Sequence, residues 1–526
     1  MTATAFSDPQ TITVVTFAPV QGFISSSRKL RDLYGSSLLL SHLAKAIVDD
    51  ANQRQFVVLS PALVNTVRGT PNLLVIAGDY RRGYGLDALR SAWSQLLAAT
   101  RSWIEQQLPR FEYDWDASWK LWQNHAWEYF HSQGGSIGQA RRNLAINKQQ
   151  RAWSAINWTG ESSTLAGSDA IASPAMAAVI DPRQLTAAAA DQQATAFIKA
   201  LQALPALGAA FAGVGEQLSL PELVKRLVTY PPVARQSFRD ERLLDVIPSR
   251  FDGIAESSAV AWFMADGDQV GSHLERQAQQ APSREAEQLS RFSGAMRSWA
   301  ERLYAEVPRL MDGKATVVYA GGDDLLGALH DQATDRDPHR SAPLVAADLL
   351  RWLQRFPQLW SEHGQLITVS MGIVLVRGQV PQREALQQVR LAEASAKAHG
   401  RDRFALRLLF SGGQAIEWVC PWAWLPRILA GYRDRDQRSG ERAHWGHLAA
   451  DVAALRSRHA LAGSTPEARA VAAALWSIYF PDLESPPQQR QGSSAGIDQP
   501  LGEWLSDLAQ VLARLHKPVH REAIPA

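Results

Sequence analysis

Val317-Val318-Tyr319-Ala320-Gly321-Gly322-Asp323-Asp324-Leu325 reads as a strand, a tight turn and the first residue of the hairpin partner. β-branched and aromatic residues favour the strand, and two glycines permit the positive φ of a short turn and the close approach of a phosphate. Asp323 and Asp324 at the tip have no hydrophobic role. Adjacent carboxylates repel one another unless a cation stands beside them, and hard oxygen ligands suit Mg2+ or Mn2+. An ordinary surface turn also favours Gly and Asp, so the turn alone does not decide the matter.

Working outward, SAVAWFMA (258–265) is a strand that runs into Asp266-Gly267-Asp268, and a long amphipathic helical region follows to about Glu306. Strands are expected at 314–320 and 325–330, a helix at 342–354 and a strand at 366–376. A helix opened by Pro381 and a closing strand at 404–409 complete the segment. This is a β-α-β-β-α-β unit of ferredoxin-like type. Its first strand lies beside the hairpin, so Asp266, with Asp268, is expected next to the turn. Carboxylates from both places suit two metal ions in the arrangement used for in-line attack of a hydroxyl on a phosphate. Lys397, on the last turn of the helix before the closing strand, is placed to reach triphosphate oxygens, and the small Ser370 leaves room for a base or ribose.

The same pattern recurs earlier. TITVVTFA (11–18) is a strand, a helix runs from about Ser25 to Asp50, and strands at 55–59 and 73–77 precede a helix at 86–107. Residues 110–250 read mostly as helices, with an exposed polar loop at 158–169 and an Ala-rich run at 185–212. The last 115 or so are helical in tendency, with polar loops at 433–443 and 484–498. The expected fold class is α+β: two ferredoxin-like domains, 1–110 and 256–411, and two mainly helical ones, 111–255 and 412–526.

Composition agrees with several globular domains: 526 residues, 46% hydrophobic and 20% charged, too long for one core. Fifty-four basic and 52 acidic residues give a net charge of +2, which neither demands nor excludes a nucleic-acid partner. The single cysteine, Cys420, rules out an internal disulfide and any Cys-based zinc site. With neither a signal-peptide pattern nor an apolar run of the roughly 18–20 residues that span a bilayer, a cytoplasmic protein is expected. Eighteen tryptophans, several between Trp93 and Trp158, fit a helical core, with base-stacking platforms as the alternative. Basic stretches at Arg28–Arg31, Arg141-Arg142 and Arg433–Arg442 are either solvated faces or phosphate contacts.

Four stretches resemble the large subunit of type III CRISPR effector complexes, the polymerase/cyclase-like protein of the Cmr class. They are PVQGFISSSRKLRDLYGSSLLLSHL (19–43), AVAWFMADGDQVGSHL (259–274), VVYAGGDDLLGAL (317–329) and VSMGIVLVRGQVPQREALQQVRLAEASAKAHGRDRFALRLLFSGG (369–413). The resemblance implies two palm domains that bind two ATP molecules between them. It also implies assembly with other Cmr-type subunits, crRNA and target RNA, and no membrane. Capture of target RNA would lead the GGDD palm to join ATP into cyclic oligoadenylates through 3′–5′ linkages. Carried over, Asp266, Asp323 and Asp324 are the catalytic metal carboxylates. Gly321, Gly322, Gly267, Asp268, Lys397 and Ser370 then lie around one ATP, with Gly35 and Ser36 of the first palm near the second. Two departures stand out. The first palm begins near residue 11, so no HD nuclease domain is expected before it, and His330-Asp331 reads as a strand end. The family's four-cysteine zinc site is also missing, with 158–169 as its remnant loop. A silent scaffold subunit of the same complex, a free-standing GGDEF-type cyclase and a template-directed polymerase are the competing readings. The three retained carboxylates argue against the first. The Asp-Asp-Leu ending and the preceding palm argue against the second, and the lack of a basic thumb-like segment argues against the third.

Overall fold

The computed structural model describes all residues except 1–10, 28, 68, 152–155, 159–160, 177–186, 239–253, 255–256, 258, 333–341, 378–379, 411, 489–494 and 517–526. Of those singled out above, Arg28, 159–160, 185–186, Ser258, 378–379, Ser411 and 489–494 therefore lie outside the described residues. The fold is α+β. Two compact units divide the chain, one of residues 1–251 with 271–301 and the other of 252–270 with 302–526.

In the first unit, strands β1 (Ile12–Ala18), β2 (Val57–Ser60), β3 (Leu74–Ala77) and β4 (Glu128–Gly134) form an antiparallel sheet of order β2-β3-β1-β4, the ferredoxin-like order. Helix α1 (Leu30–Gln53) follows β1, and α2 (Arg82–Gln107) follows β3. The near-continuous apolar run of β1 is explained by burial on both faces. Val15 and Phe17 join the core built with α1 and α2, while Ile12 and Val14 join a second core with Ile137, Leu144 and Leu289. The closing strand β4 falls within 111–255, the stretch expected to be mainly helical. Its seven residues, EYFHSQG, lie between helices and are too short and too polar toward their end to stand out as a strand. Trp93, Trp115 and Trp119 are buried in the first core, so those members of the tryptophan cluster are packing residues.

The second unit carries the longer sheet, in the order β10-β9-β8-β5-β7-β6. Its strands are β5 (Ala259–Gly267), β6 (Ala315–Ala320), β7 (Leu325–Leu329), β8 (Val369–Arg377), β9 (Arg403–Leu409) and β10 (Ala415–Pro421). β8-β5-β7-β6 repeats the ferredoxin-like order. β9 adds parallel to β8 through helix α3 (Gln382–Ala398), and β10 pairs antiparallel with β9. β10 is a strand within the 412–526 stretch expected to be helical. Helix α4 (Leu501–Leu515) packs on it, and Trp504 Nε1 donates to Val419 O at 2.7 Å. No described helix is long and apolar enough to cross a membrane.

Candidate functional site

The hairpin β6–β7 closes through Gly321–Asp324, with Gly321 N donating to Asp324 O at 3.0 Å. Gly322 has φ +144°, where an L side chain is strained. β5 lies next to β7, and Gly267 N donates to Asp323 O at 3.2 Å, so the end of β5 is pinned to the turn. That contact brings Asp266, Asp323 and Asp324 to one place, as the strand order demands.

The carboxyls of Asp266 and Asp324 are in hydrogen-bond contact. Asp324 is raised well above its ordinary value by desolvation, by the bond to Asp266 and by the nearby charges of Asp323 and Asp266, with Lys397 opposing. Asp324 as a whole is exposed, so the carboxyl–carboxyl contact is the stronger reason for the shift. Two carboxylates held together keep a proton between them when no cation does the work, so this donor set fits a divalent ion. Lys397 Nζ pairs with Asp266 Oδ2 and, at 2.5 Å, with Glu393 Oε1. Glu393 was missed in the sequence. It stands four residues before Lys397 on the same helix face, the one signal that could have found it. Burial raises its carboxyl above the ordinary range, against the pull of Lys397.

Asp268 and Ser370 meet inside the protein rather than at the open end. Asp268 accepts from Ser370 Oγ at 2.7 Å, Thr368 Oγ1 at 2.8 Å and Asp402 N at 3.0 Å, and both Asp268 and Ser370 are buried. Asp268 thus ties the end of β5 to the start of β8 and to the turn after α3. Gly267 is also crowded, since a Cβ there would lie 3.0 Å from that of Asp323.

Gly35 and Ser36, expected near a second ATP, lie in the first unit, where each packs against neighbouring groups of the protein. A Cβ on Gly35 would stand 1.9 Å from the carbonyl oxygen of Lys225. Ser36 is buried, with Oγ 3.0 Å from Ser27 Oγ and donating to Asp32 O at 2.8 Å. Both serve packing.

The basic stretches are largely accounted for by internal partners. Lys29 pairs with Glu216 at 3.0 Å, and Arg31 lies over the Tyr230 ring. Arg433, Arg435 and Arg438 pair with Asp482, Asp451 and Asp434. His330 is a strand-end residue, its Nδ1 2.8 Å from Asp331 O and its Nε2 2.9 Å from Thr316 Oγ1. Among the described residues, Asp434, Asp436 and His447 bring ligand atoms within 4.8 Å of one another. Asp434 is committed there to the N–H groups of Asp436, Arg438 and His444, which explains the cluster as a loop clamp.

Two ferredoxin-like sheets in one chain, the second with carboxylates from its first strand and its Gly-Gly-Asp-Asp turn side by side, define a double-palm protein. The second palm domain of Cas10/Cmr2 matches residues 259–405, and the N-terminal domain of CRISPR-associated protein Cmr2 matches residues 12–75. The two matches support this chain as a large subunit of type III CRISPR effector complexes, the Cas10/Cmr2 family. Its fold is similar to a chain of the type III-B Cmr-β complex in the apo state, with a TM-score of 0.57 and 11% identity over 96% of this chain and 81% of that one. It is also similar to a chain of Cmr-β bound to cognate target RNA, with a TM-score of 0.55 and 11% identity over 96% and 83%. No curated protein matches the chain.

Proposed function

We propose that this chain is the catalytic large subunit of a Cmr-type complex and joins ATP into cyclic oligoadenylate at its second palm when target RNA is held. The observation that carries this reading is the convergence of Asp266 and Asp324 at the end of β5, with Asp323 on the same turn and Lys397 against Asp266. Their mutual repulsion is what a divalent cation held among them would relieve. Two divalent ions held by Asp266, Asp323 and Asp324 would neutralise the triphosphate and favour loss of the proton from the attacking ribose hydroxyl.

The protein's own groups set the geometry. Gly321 and Gly322 leave the tip free of side chains, so phosphate oxygens approach the backbone closely. Lys397, anchored by Glu393, places one positive charge where phosphate oxygens arrive. Asp268 and Ser370 position rather than bind: they hold the end of β5 and the turn beyond α3 in register. ATP as substrate, crRNA and target RNA as partners, and other effector subunits come to this chain from its family and from the target-RNA-bound Cmr-β complex.

The test is the reconstituted complex with matching target RNA, labelled ATP or GTP and Mg2+ or Mn2+, with products read by mass spectrometry. Cyclic oligoadenylates that depend on target RNA and on Asp323 and Asp324 support the proposal. Normal RNA binding with no product from either nucleotide overturns it in favour of a scaffold whose palm is silent.

A further inference from the structure

In the first unit a cavity of about 260 Å³ lies between the turn after β1, the residues Ile156, Trp158, Ser168 and Asp169, and the helix α5 (Leu220–Leu227). Trp122 and Trp158 give it aromatic walls, while the Phe23 ring is taken up by Trp127 and the Lys225 ammonium; Ser26, Asp169 and Lys225 add polar groups. Its volume falls just below the roughly 300 Å³ at which pockets for drug-sized ligands begin, so it suits one planar ring system rather than a whole nucleoside triphosphate.

Lys225 is 1% exposed. It donates to Phe23 O at 2.6 Å and to Ser26 Oγ at 2.7 Å, and its ammonium lies 4.0 Å from the Phe23 ring centre. An ammonium has three N–H groups, and these two oxygens account for two of them. Asp169 Oδ2 accepts from Ser168 at 2.9 Å, which leaves Oδ1 as an acceptor. Burial lowers Lys225 to about 8, against the nearby charges of Glu222, Asp32 and Asp169. A cation balanced by carboxylates is a poor host for a phosphate and a good one for a neutral ring that offers both an acceptor and a donor.

The cavity is also built rather than incidental. Arg226, next to Lys225, makes a bidentate pair with Asp32 at 2.7 Å for both bonds, with neither side chain exposed. Glu222 accepts from Ser163 Oγ at 3.2 Å and from Ala166 N at 2.9 Å, which ties the loop to α5. Ser163 and Ala166, within the stretch expected to be an exposed loop, are therefore pinned to α5, and Trp158 lines the cavity.

We propose that this cavity binds a nucleobase, guanine in preference, stacked between aromatic walls with its O6 accepting from Lys225 and its amino edge facing Asp169. Carbonyl-to-lysine contacts are a recurrent means of reading guanine, and aromatic stacking holds any base. The guanine comes either from a free nucleotide or from a base splayed out of single-stranded RNA.

The experiment measures equilibrium binding to the full-length protein of GMP, AMP, CMP and UMP, and of single-stranded RNA 8-mers with or without one central guanosine. The variants are Trp158→Ala and Lys225→Met, with thermal unfolding as the check on folding. The expected result is a preference of about tenfold or more for guanine, lost by a similar factor in both variants. Binding of GMP assigns the site to free nucleotide, and binding of only the guanosine-containing RNA assigns it to a strand. If Lys225→Met does not fold, Trp158→Ala alone decides. Equal binding of all four bases, tighter binding of AMP, or guanine binding unchanged by Trp158→Ala overturns the proposal. Because GMP is not the substrate of the second palm, this result is independent of oligoadenylate synthesis.

Discussion

Replacing Asp268 by alanine tests whether this carboxylate positions the site or binds nucleotide. The substitution removes three accepted hydrogen bonds at once. Thr368 is exposed and its hydroxyl turns to water at little cost. Ser370 is fully buried, and its stranded donor costs about 1–2 kcal/mol, with about 1 kcal/mol more for the half-buried N–H of Asp402. The sum is about 2–3 kcal/mol. At about 2–4 °C per kcal/mol for a unit of this size, the second unit should melt about 4–12 °C earlier. Asp268→Asn keeps one acceptor oxygen and should lose about half as much. Differential scanning calorimetry resolves the two units' transitions, and urea titration gives the free energy. Turnover of ATP should fall in step, because the turn after α3 no longer holds Lys397 at Asp266. A loss below 1 kcal/mol accompanied by a large rise in the KM for ATP would refute the positioning role and restore Asp268 to the nucleotide.

Asp323→Ala and Asp324→Ala should abolish oligoadenylate synthesis while moving the melting temperature by less than about 2 °C, since neither side chain lies in a core; mass spectrometry and calorimetry on one preparation check both. Lys397→Met frees Asp266 from its ion pair, so Mn2+ should bind more tightly by water-proton relaxation while turnover drops at least about tenfold; unchanged or weaker Mn2+ binding would show that the ammonium does not compete with metal. Burial alone would raise Asp434, but the N–H groups of His444, Arg438 and Asp436 and the Arg438 side chain outweigh it and hold the carboxyl at about 2. A carboxyl lowered on folding stabilises above its unfolded value near 3.8, and that contribution, about 2 kcal/mol, is lost as pH falls from about 5 to 2. The stability gap between wild type and Asp434→Asn should close over that interval in urea titrations.

Much of the second palm was legible because its signals are local. SAVAWFMADGD ends a strand on an aspartate, the Gly-Gly turn announces a hairpin, and the β-α-β-β-α-β order then places Asp266 beside Asp324 without further information. β4 and β10 were not legible because they are edge strands of seven residues, fixed by pairing with β1 and β9 rather than by their own pattern. Side-chain roles that depend on distant partners were equally hidden. Ser370 and Asp268 are 102 positions apart, and nothing near either one says that they share a hydrogen bond. Nor does the sequence near Gly35 say that the group in close approach to it is the Lys225 carbonyl.

That approach limits how the chain can change. With the Lys225 carbonyl where a methyl group at position 35 would go, the residue identity on α1 and the path of α5 form a single heritable unit. A relative with alanine at this position must carry α5 displaced by more than an ångström, and a cavity floor of different shape with it. Glycine at position 35 is therefore a marker, readable in any homologous sequence, of chains that keep this lysine in this place.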